Sequence, residues 1–437
     1  CWGASRYGTL GSIRDSSNDK YGFMEVQGSD PGITYEDISA AEVAVGKFFI
    51  CIRTPAGKAS CWGRGEWGTI GNNLNPVLHT LPATTASFAF VEDSVGVDLS
   101  NVAQIVAGDK HACARFTDNT VKCWGDNSQN QLGDNTTISR NHAVTVWANA
   151  GSTIPVNDAV WISTEDNHTC IVTTGGNAKC WGDGANGALG DGSTVDNPFA
   201  EFVKSDVVTN ISTVDKISVG DKNTCVLYTD DTASCWGATG NGVNGDDNVA
   251  SNNYADTKVL ASTGPNVDMT NISQIEIHNS HAVAMLIDGT VRVWGSNVNT
   301  QKGLGTTNPR AIADEAMRVD AVPTYFGTAT YVALGLFSTC VIDDISQVFC
   351  AGTGLRYQMG DNASGTNQYL NMTVLKGDLN PIDDAIQVDS NVYVSCAVSA
   401  TNALRCWGFG VDHIFQVGSR SVFKSYMVGE IMQRRAP

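Results

Sequence analysis

The sequence predicts an all-β fold, a seven-bladed β-propeller of four-stranded antiparallel blades with a surplus N-terminal half-repeat, on three observations. First, one unit recurs along the 437 residues: an apolar strand, a hairpin with cysteines at i and i+10, Trp-Gly, a polar loop and an apolar-Gly pair. It is plainest over residues 111–133, HACARFTDNTVKCWGDNSQNQLG, where the turn Thr117-Asp118-Asn119 separates Cys113 from Cys123 and Leu132-Gly133 ends the loop. Second, the position of the second cysteine recurs at 61, 123, 180, 235, 293, 350 and 406, and such a period holds four short strands. Third, apolar and polar residues alternate, with Ile105, Ala107, Ala112 and Ala114 at inward positions, and no helical periodicity with caps competes.

Taken in order, residues 1–40 hold the half-repeat: Cys1-Trp2-Gly3, then Leu10-Gly11, a Ser/Asn/Asp loop and a strand candidate at 21–27. Residues 41–437 form the propeller. Its first unit carries strands at 41–45, 48–53 and 58–63, and the same plan returns over 102–133, 159–190, 214–245, 272–305, 330–360 and 385–418. Fourth strands are expected between units, for example at 143–147, 200–204 and 422–428. Two units vary: Ala351 stands where the others have Trp, and Val283 and Val293 replace both cysteines before Trp294.

Twelve of the 13 cysteines form six pairs: Cys51 with Cys61, Cys113 with Cys123, Cys170 with Cys180, Cys225 with Cys235, Cys340 with Cys350 and Cys396 with Cys406. Opposite positions on a hairpin bring two Cα atoms to disulfide distance, and the C-x₂₋₄-C knuckles of zinc sites are absent. Six local disulfides imply an oxidising compartment: the outside of the cell, its surface or a periplasm. Each contributes about 2–3 kcal/mol in the chain-entropy model. Cys1 is left over, because its partner position precedes the chain. It points to a processed or incomplete piece, to pairing with another subunit, or to a free or lipid-modified terminus. No signal peptide or transmembrane run is visible, so the chain reads as a mature or trimmed form.

Hydrophobic content is 42%, ample for a core, and 45 glycines with only 16% charged residues suit many tight turns between short strands. A net charge of −18 without basic patches excludes a nucleic-acid partner and argues against anionic membrane surfaces.

The units resemble the repeats of the regulator of chromosome condensation family. The matching pattern runs from Val106-Ala107-Gly108-Asp109-Lys110-His111-Ala112-Cys113 through Cys123-Trp124-Gly125-Asp126-Asn127 to Gln131-Leu132-Gly133, and covers nearly the whole chain. The resemblance implies a seven-bladed propeller. The founding member is a nuclear exchange factor that binds chromatin, an activity that this acidic, cysteine-rich chain without a basic tail does not share. The cysteine-bearing version looks like secreted bacterial surface proteins, and a secreted β-lactamase inhibitor uses the same propeller type, which implies extracellular protein binding.

Trp62, Trp124, Trp181, Trp236, Trp294 and Trp407 are expected to pack between blades, and the Gly after each to let the chain leave the strand. His111, His168 and His281 share one position, held elsewhere by Phe49, Asn223, Ser338 and Val394. They read as hairpin residues that satisfy a turn backbone. No nucleophile elbow or Ser/His/Asp set emerges, and no acid/base pair of carboxylates can be named. No cofactor or metal is expected. The Asp-rich loops 190–192 and 246–248 offer oxygen ligands for calcium but keep neither a twelve-residue calcium loop nor a nonapeptide repeat. Six N-x-S/T sequons start at Asn135, Asn167, Asn210, Asn271, Asn362 and Asn371. The expected function is a non-catalytic extracellular or cell-surface scaffold that binds a protein or glycan. The alternatives are a filament or surface-layer subunit that self-assembles through the half-repeat, and a secreted enzyme with its site at the central channel.

Overall fold

Each unit folds as a meander because its apolar runs of four to seven residues are separated by residues that tolerate a left-handed backbone. In the plainest hairpin Asn119 takes φ 64°, and the Asp118 carboxylate accepts the Thr120 N–H and hydroxyl at 3.1 and 2.6 Å. Gly57, Gly176, Asp231, Gly289, Ser346 and Asn402 hold the same positive-φ corner in the other units. The computed structural model describes residues 40–74, 89–238, 240–246, 253–261, 267–302, 310–314, 328–353, 367–373, 381–392, 394–408 and 429–430. They form seven four-stranded antiparallel sheets, each drawn from one continuous stretch of chain. The chain is a seven-bladed β-propeller.

The innermost strands are Glu42–Val45, Val102–Ala107, Ala159–Glu165, Val214–Val219, Ile272–His278, Ala329–Gly335 and Ala385–Ser390, and they neighbour one another around an axis. A repeated clasp links the blades. The carbonyl of each positive-φ corner accepts a backbone N–H at the start of the next blade: Gly57 from Val102, Asn119 from Ala159, Gly176 from Val214, Asp231 from Ile272, Gly289 from Ala329 and Ser346 from Ala385. The seventh link, Ala40 N–H to Asn402 O at 3.3 Å, closes the ring. All seven sheets lie between Glu42 and Glu430. Cys1 and the strand candidate at 21–27 lie outside the described residues.

Within a blade, the second and third strands place the cysteines opposite each other, as Cys51↔Cys61 and Cys113↔Cys123 show. All six pairs are disulfide-bonded, with Cα separations of 4.0–4.1 Å. Val283↔Val293 fills the same place in the fifth blade, fully buried. The six tryptophans are buried to within 1%. Four indoles donate backwards into the preceding blade's loop: Trp124 to Thr69 O, Trp181 to Gln131 O, Trp236 to Ala188 O and Trp294 to Val243 O, at 2.7–3.0 Å. The apolar-Gly pair ends each loop because Gly133 and Gly190 take φ 64° with the next blade's indole against them. A Cβ there would stand 2.9 and 2.5 Å from Trp181 and Trp236.

Two expectations shift. Fourth strands begin earlier, at Arg140–Thr145 and Asn197–Phe202 rather than 143 and 200. A register shift beyond the third-strand cysteine pairs Gly125 with Arg140 and Gly182 with Asn197. The outer strands start on half-buried Arg140 and Asn197, three residues ahead of the buried Ala143 and Ala200. The 422–428 candidate lies outside the described residues; the outer strand described for the seventh blade is Gly429–Glu430. The histidines do not serve their own turns. The Nε2 of His111, His168 and His281 reaches the next blade's Thr169, Thr224 and Thr339 hydroxyls at 2.9, 3.0 and 3.2 Å. Those threonines donate in turn to loop carbonyls of Gln131, Ala188 and Gln301.

Two outcomes follow. The double change Cys113→Val with Cys123→Val, which copies the fifth blade, is expected to cost no more than about 3 kcal/mol in denaturant unfolding. The Ser/Ser version, which buries two hydroxyls beside that lost cross-link, costs more. Burial pushes the imidazoles down, His111 to about 4 and His168 and His281 to about 3. The unfolded chain therefore takes up protons that the fold refuses. Stability present above pH 6.5 is lost as pH falls toward 4, by about 1.4 kcal/mol per pH unit for each imidazole at the steepest. His168→Asn, the residue the fourth blade carries at 223, is expected to flatten the fall of the thermal midpoint between pH 6.5 and 4.5.

Candidate functional site

The innermost strands expose one hydrogen-bonding edge to the axis, and unpaired edge groups out of water cost free energy. The register fixes which side chains sit there. Ala44, Val106, Ser163, Ser218, Glu276, Ala333 and Asp389 each lie opposite the first cysteine position of their blade. Two residues earlier comes a second ring: Glu42, Gln104, Trp161, Lys216, Gln274, Tyr331 and Gln387. These side chains cap the next blade's edge. Gln104 pairs with both the N–H and the C=O of Ile162 at 3.2 and 3.0 Å, Gln274 with Val332 at 3.2 and 2.9 Å, and Gln387 with Val43 at 3.2 and 3.3 Å. Glu42 accepts the Ile105 N–H, and Trp161 donates to Ile217 O. Ser163, Ser218 and Asp389 accept from Val219, Ile277 and Val45.

Two residues beyond the cysteine-facing ring, four blades have glycine: Gly46, Gly108, Gly220 and Gly335. The other three have Glu165, His278 and Asn391, and these meet across the axis. The Asn391 amide donates to Glu165 Oε1 at 3.3 Å and to Val45 O at 3.1 Å, while His278 Nε2 stands 3.5 Å from Glu165 Oε1. A Cβ at Gly335 would lie 2.5 Å from Asn391 O, so the glycine makes room for the larger residue beside it. The hairpin turns at this end carry Lys47, Asp109, Lys110, Asp166, Asp221 and Lys222. Lys47 is ion-paired to Asp109. Burial, then the hydrogen bond and charge of Asp221, push Asp166 up to about 8.

The axis holds a cavity of about 150 Å³ whose wall includes Glu42, Glu165, Glu276 and Asp389 together with Trp161, His278 and Tyr331. Burial raises all four carboxyls, Glu165 well above the usual range with Asp109 and Asp389 adding to it, and Asp389 to about 7. Burial also lowers His278 to about 4 and, with Glu276, Asp389 and Glu42 nearby, holds the Tyr331 phenol protonated. Among the described residues no three His, Cys, Asp or Glu side chains converge closely enough to hold a metal ion. Asp191 accepts its own loop's Ser193 N–H at 2.9 Å; Asp247 and Asn248 lie outside the described residues. No helix among the described residues is long and apolar enough to cross a membrane.

The disulfides and tryptophans singled out in the sequence thus lie in the blades, while the axial residues were missed. The signal was present: in the aligned repeats Glu165, His278 and Asn391 replace a glycine, and Glu276 and Asp389 replace Ala, Val or Ser. Replacing Gln274 by Leu would leave the Val332 N–H and C=O unpaired. We expect a loss of about 1–3 kcal/mol in denaturant unfolding, against a few tenths for a substitution at exposed Ile287.

The profile of the regulator of chromosome condensation (RCC1) repeat matches residues 102–131 and 166–188. The chain is similar to the probable E3 ubiquitin-protein ligase HERC6 of Homo sapiens, 24% identical over 311 residues, covering 70% of this chain and 28% of that protein. It is also similar to the ultraviolet-B receptor UVR8 of Arabidopsis thaliana, 26% identical over 306 residues, covering 68% of this chain and 61% of the receptor. The match therefore spans less than two thirds of either relative. Among solved structures, human WBSCR16 superposes with a TM-score of 0.68 at 15% identity, over 91% of this chain and 98% of that one. Prp20p of Saccharomyces cerevisiae, described for its binding to Gsp1p and histones, superposes with a TM-score of 0.67 at 17% identity, over 92% of each.

Proposed function

We propose that this chain, a β-propeller of the regulator of chromosome condensation type, is a non-catalytic extracellular or cell-surface scaffold that binds a protein or glycan at the hairpin-turn face around its axis. The observation that carries the reading is the break in the repeat at that face. Where four blades keep glycine, Glu165, His278 and Asn391 gather under a mouth bearing Lys47, Asp109, Asp166 and Asp221. Glycine satisfies the fold at this position, so the polar replacements are surplus to it and mark a candidate site. Six disulfides support the oxidising compartment, since cytosolic thiols are kept reduced. The binding that Prp20p is described for supports a propeller of this type as a protein platform.

A second reading is self-assembly through residues 1–40, taken as an extension outside the propeller of 41–437, with Cys1 bonding across the joint. It is favoured by one observation: every described sheet is complete without a strand from that segment. Long fibres from unreduced material in negative stain would support assembly, and isolated discs would leave the scaffold alone.

The scaffold reading is tested with immobilised, unreduced protein against glycan arrays and the secreted proteins of its source. A folded Asp166→Asn, Asp221→Asn double variant is expected to lose at least tenfold in affinity for whatever is captured. Unchanged affinity would move the binding face elsewhere. Alkylation before reduction is expected to label none of the twelve paired cysteines in protein from its natural compartment; labelling of all twelve would overturn the extracellular assignment.

A further inference from the structure

The axial cavity contains more carboxyl groups than cations to answer them. Among the described residues its wall offers Glu42, Glu165, Glu276 and Asp389 and no lysine or arginine. Two of the four are answered from outside the cavity: Arg53 bonds Glu42 at 3.1 Å, and the Lys216 charge acts on Glu276. Glu165 and Asp389 are not answered in this way. The strongest charges on Glu165 are Asp109, Asp389 and Asp166, and those on Asp389 are Glu276 and Glu42.

A second observation comes from the imidazole beside them. His278 is 5% exposed and lines the cavity, and neither of its ring nitrogens makes a hydrogen bond. Burial keeps this ring neutral, so one nitrogen offers a lone pair. The groups around His278 are Glu165 on the third blade, Asp109 and Asp221 on the turns of the second and fourth, Lys47 on the first and His281 on its own blade.

We propose that this cavity binds a primary alkylammonium group, with Glu165 and His278 as acceptors at its head and Asp389 as a second carboxyl on the same wall. Glu165 and His278 come from the third and fifth blades and stand 3.5 Å apart, and Asp389 of the seventh blade lines the same cavity. An ammonium presents three diverging N–H donors on one stem and fits such a set. Val45, Val219 and Leu334 line the same cavity and give the methylene stem an apolar wall. The proposal rests on the reading of this face as the binding face, and the amine has two possible sources, a free small amine or a lysine side chain presented by a partner.

The test is calorimetry on the full, unreduced chain with three probes: n-butylammonium chloride, Nα-acetyl-lysine N-methylamide and 1-butanol. Both amines are expected to bind one to one and 1-butanol not at all. Glu165→Gln and Asp389→Asn are each expected to weaken the amines at least tenfold. Tighter binding of butylammonium points to a free amine, and equal or tighter binding of the lysine derivative to a partner's lysine. The wild-type thermal midpoint is expected to rise with butylammonium chloride above its value in equal sodium chloride, a readout that needs no variant to fold. Absence of heat with both amines, or affinities unchanged in both variants, overturns the proposal. If the amines fail while the Asp166→Asn, Asp221→Asn variant still loses its partner, only the amine site falls. If that variant also keeps its partner, the axial-face reading falls with it.

Discussion

A closed ring of radial sheets leaves seven strand edges facing one axis, and the structure depends on how those edges are satisfied. Each innermost strand pairs on one side only, so its other row of N–H and C=O groups faces a cavity too narrow for bulk water. The protein answers with side chains of the preceding blade. Three glutamines each close an N–H and a C=O at once, and a tryptophan, two serines and two carboxylates close further groups singly. Each bond crosses a blade boundary, so capping an edge also sets the angle between neighbours. The backbone clasp at the opposite end of each strand does the same through Asn119, Asn402 and their equivalents.

This arrangement explains why the axis is polar in a propeller whose blade interiors are apolar. Away from the axis, boundaries are packed by tryptophan, alanine and valine, and four of the indole N–H groups find a loop carbonyl of the preceding blade. The His-to-Thr-to-carbonyl relays fill the same role in three blades, and their neutrality follows from complete burial. The disulfides act within blades rather than between them. They hold the second strand to the third while the ring is held by hydrogen bonds and packing. The fifth blade, with valines in their place, shows that the blade shape does not require the bond.

At one end of the axis the demands of the fold relax. Glycine suffices where the hairpins turn, and three blades depart from it in ways that converge on one point. Burying Glu165 and Asp389 together carries a desolvation cost that the nearest charges increase rather than offset. Sites that bind or react are where such costs are tolerated, because a ligand of opposite charge recovers them.

The sequence determined the repeat, its period, the seven blades, the cysteine pairs and the tryptophan-glycine signature. All of these are local or periodic: an eleven-residue hairpin with opposed cysteines, or a glycine at a left-handed corner, is written in neighbouring residues. It missed the true start of the outer strands, because Arg140 and Asn197 pair through a register shift that no apolar pattern marks. It also missed the direction of the histidines, because Thr169 lies 58 residues from His111 yet one blade away. Above all, only closure of the ring decided the axial site. Glu165, His278 and Asn391 are separated by more than a hundred residues and share nothing in the linear chain but their place in the repeat. Seven equivalent strands converging on one axis bring equivalent positions together, so three unremarked departures from glycine become a single cluster.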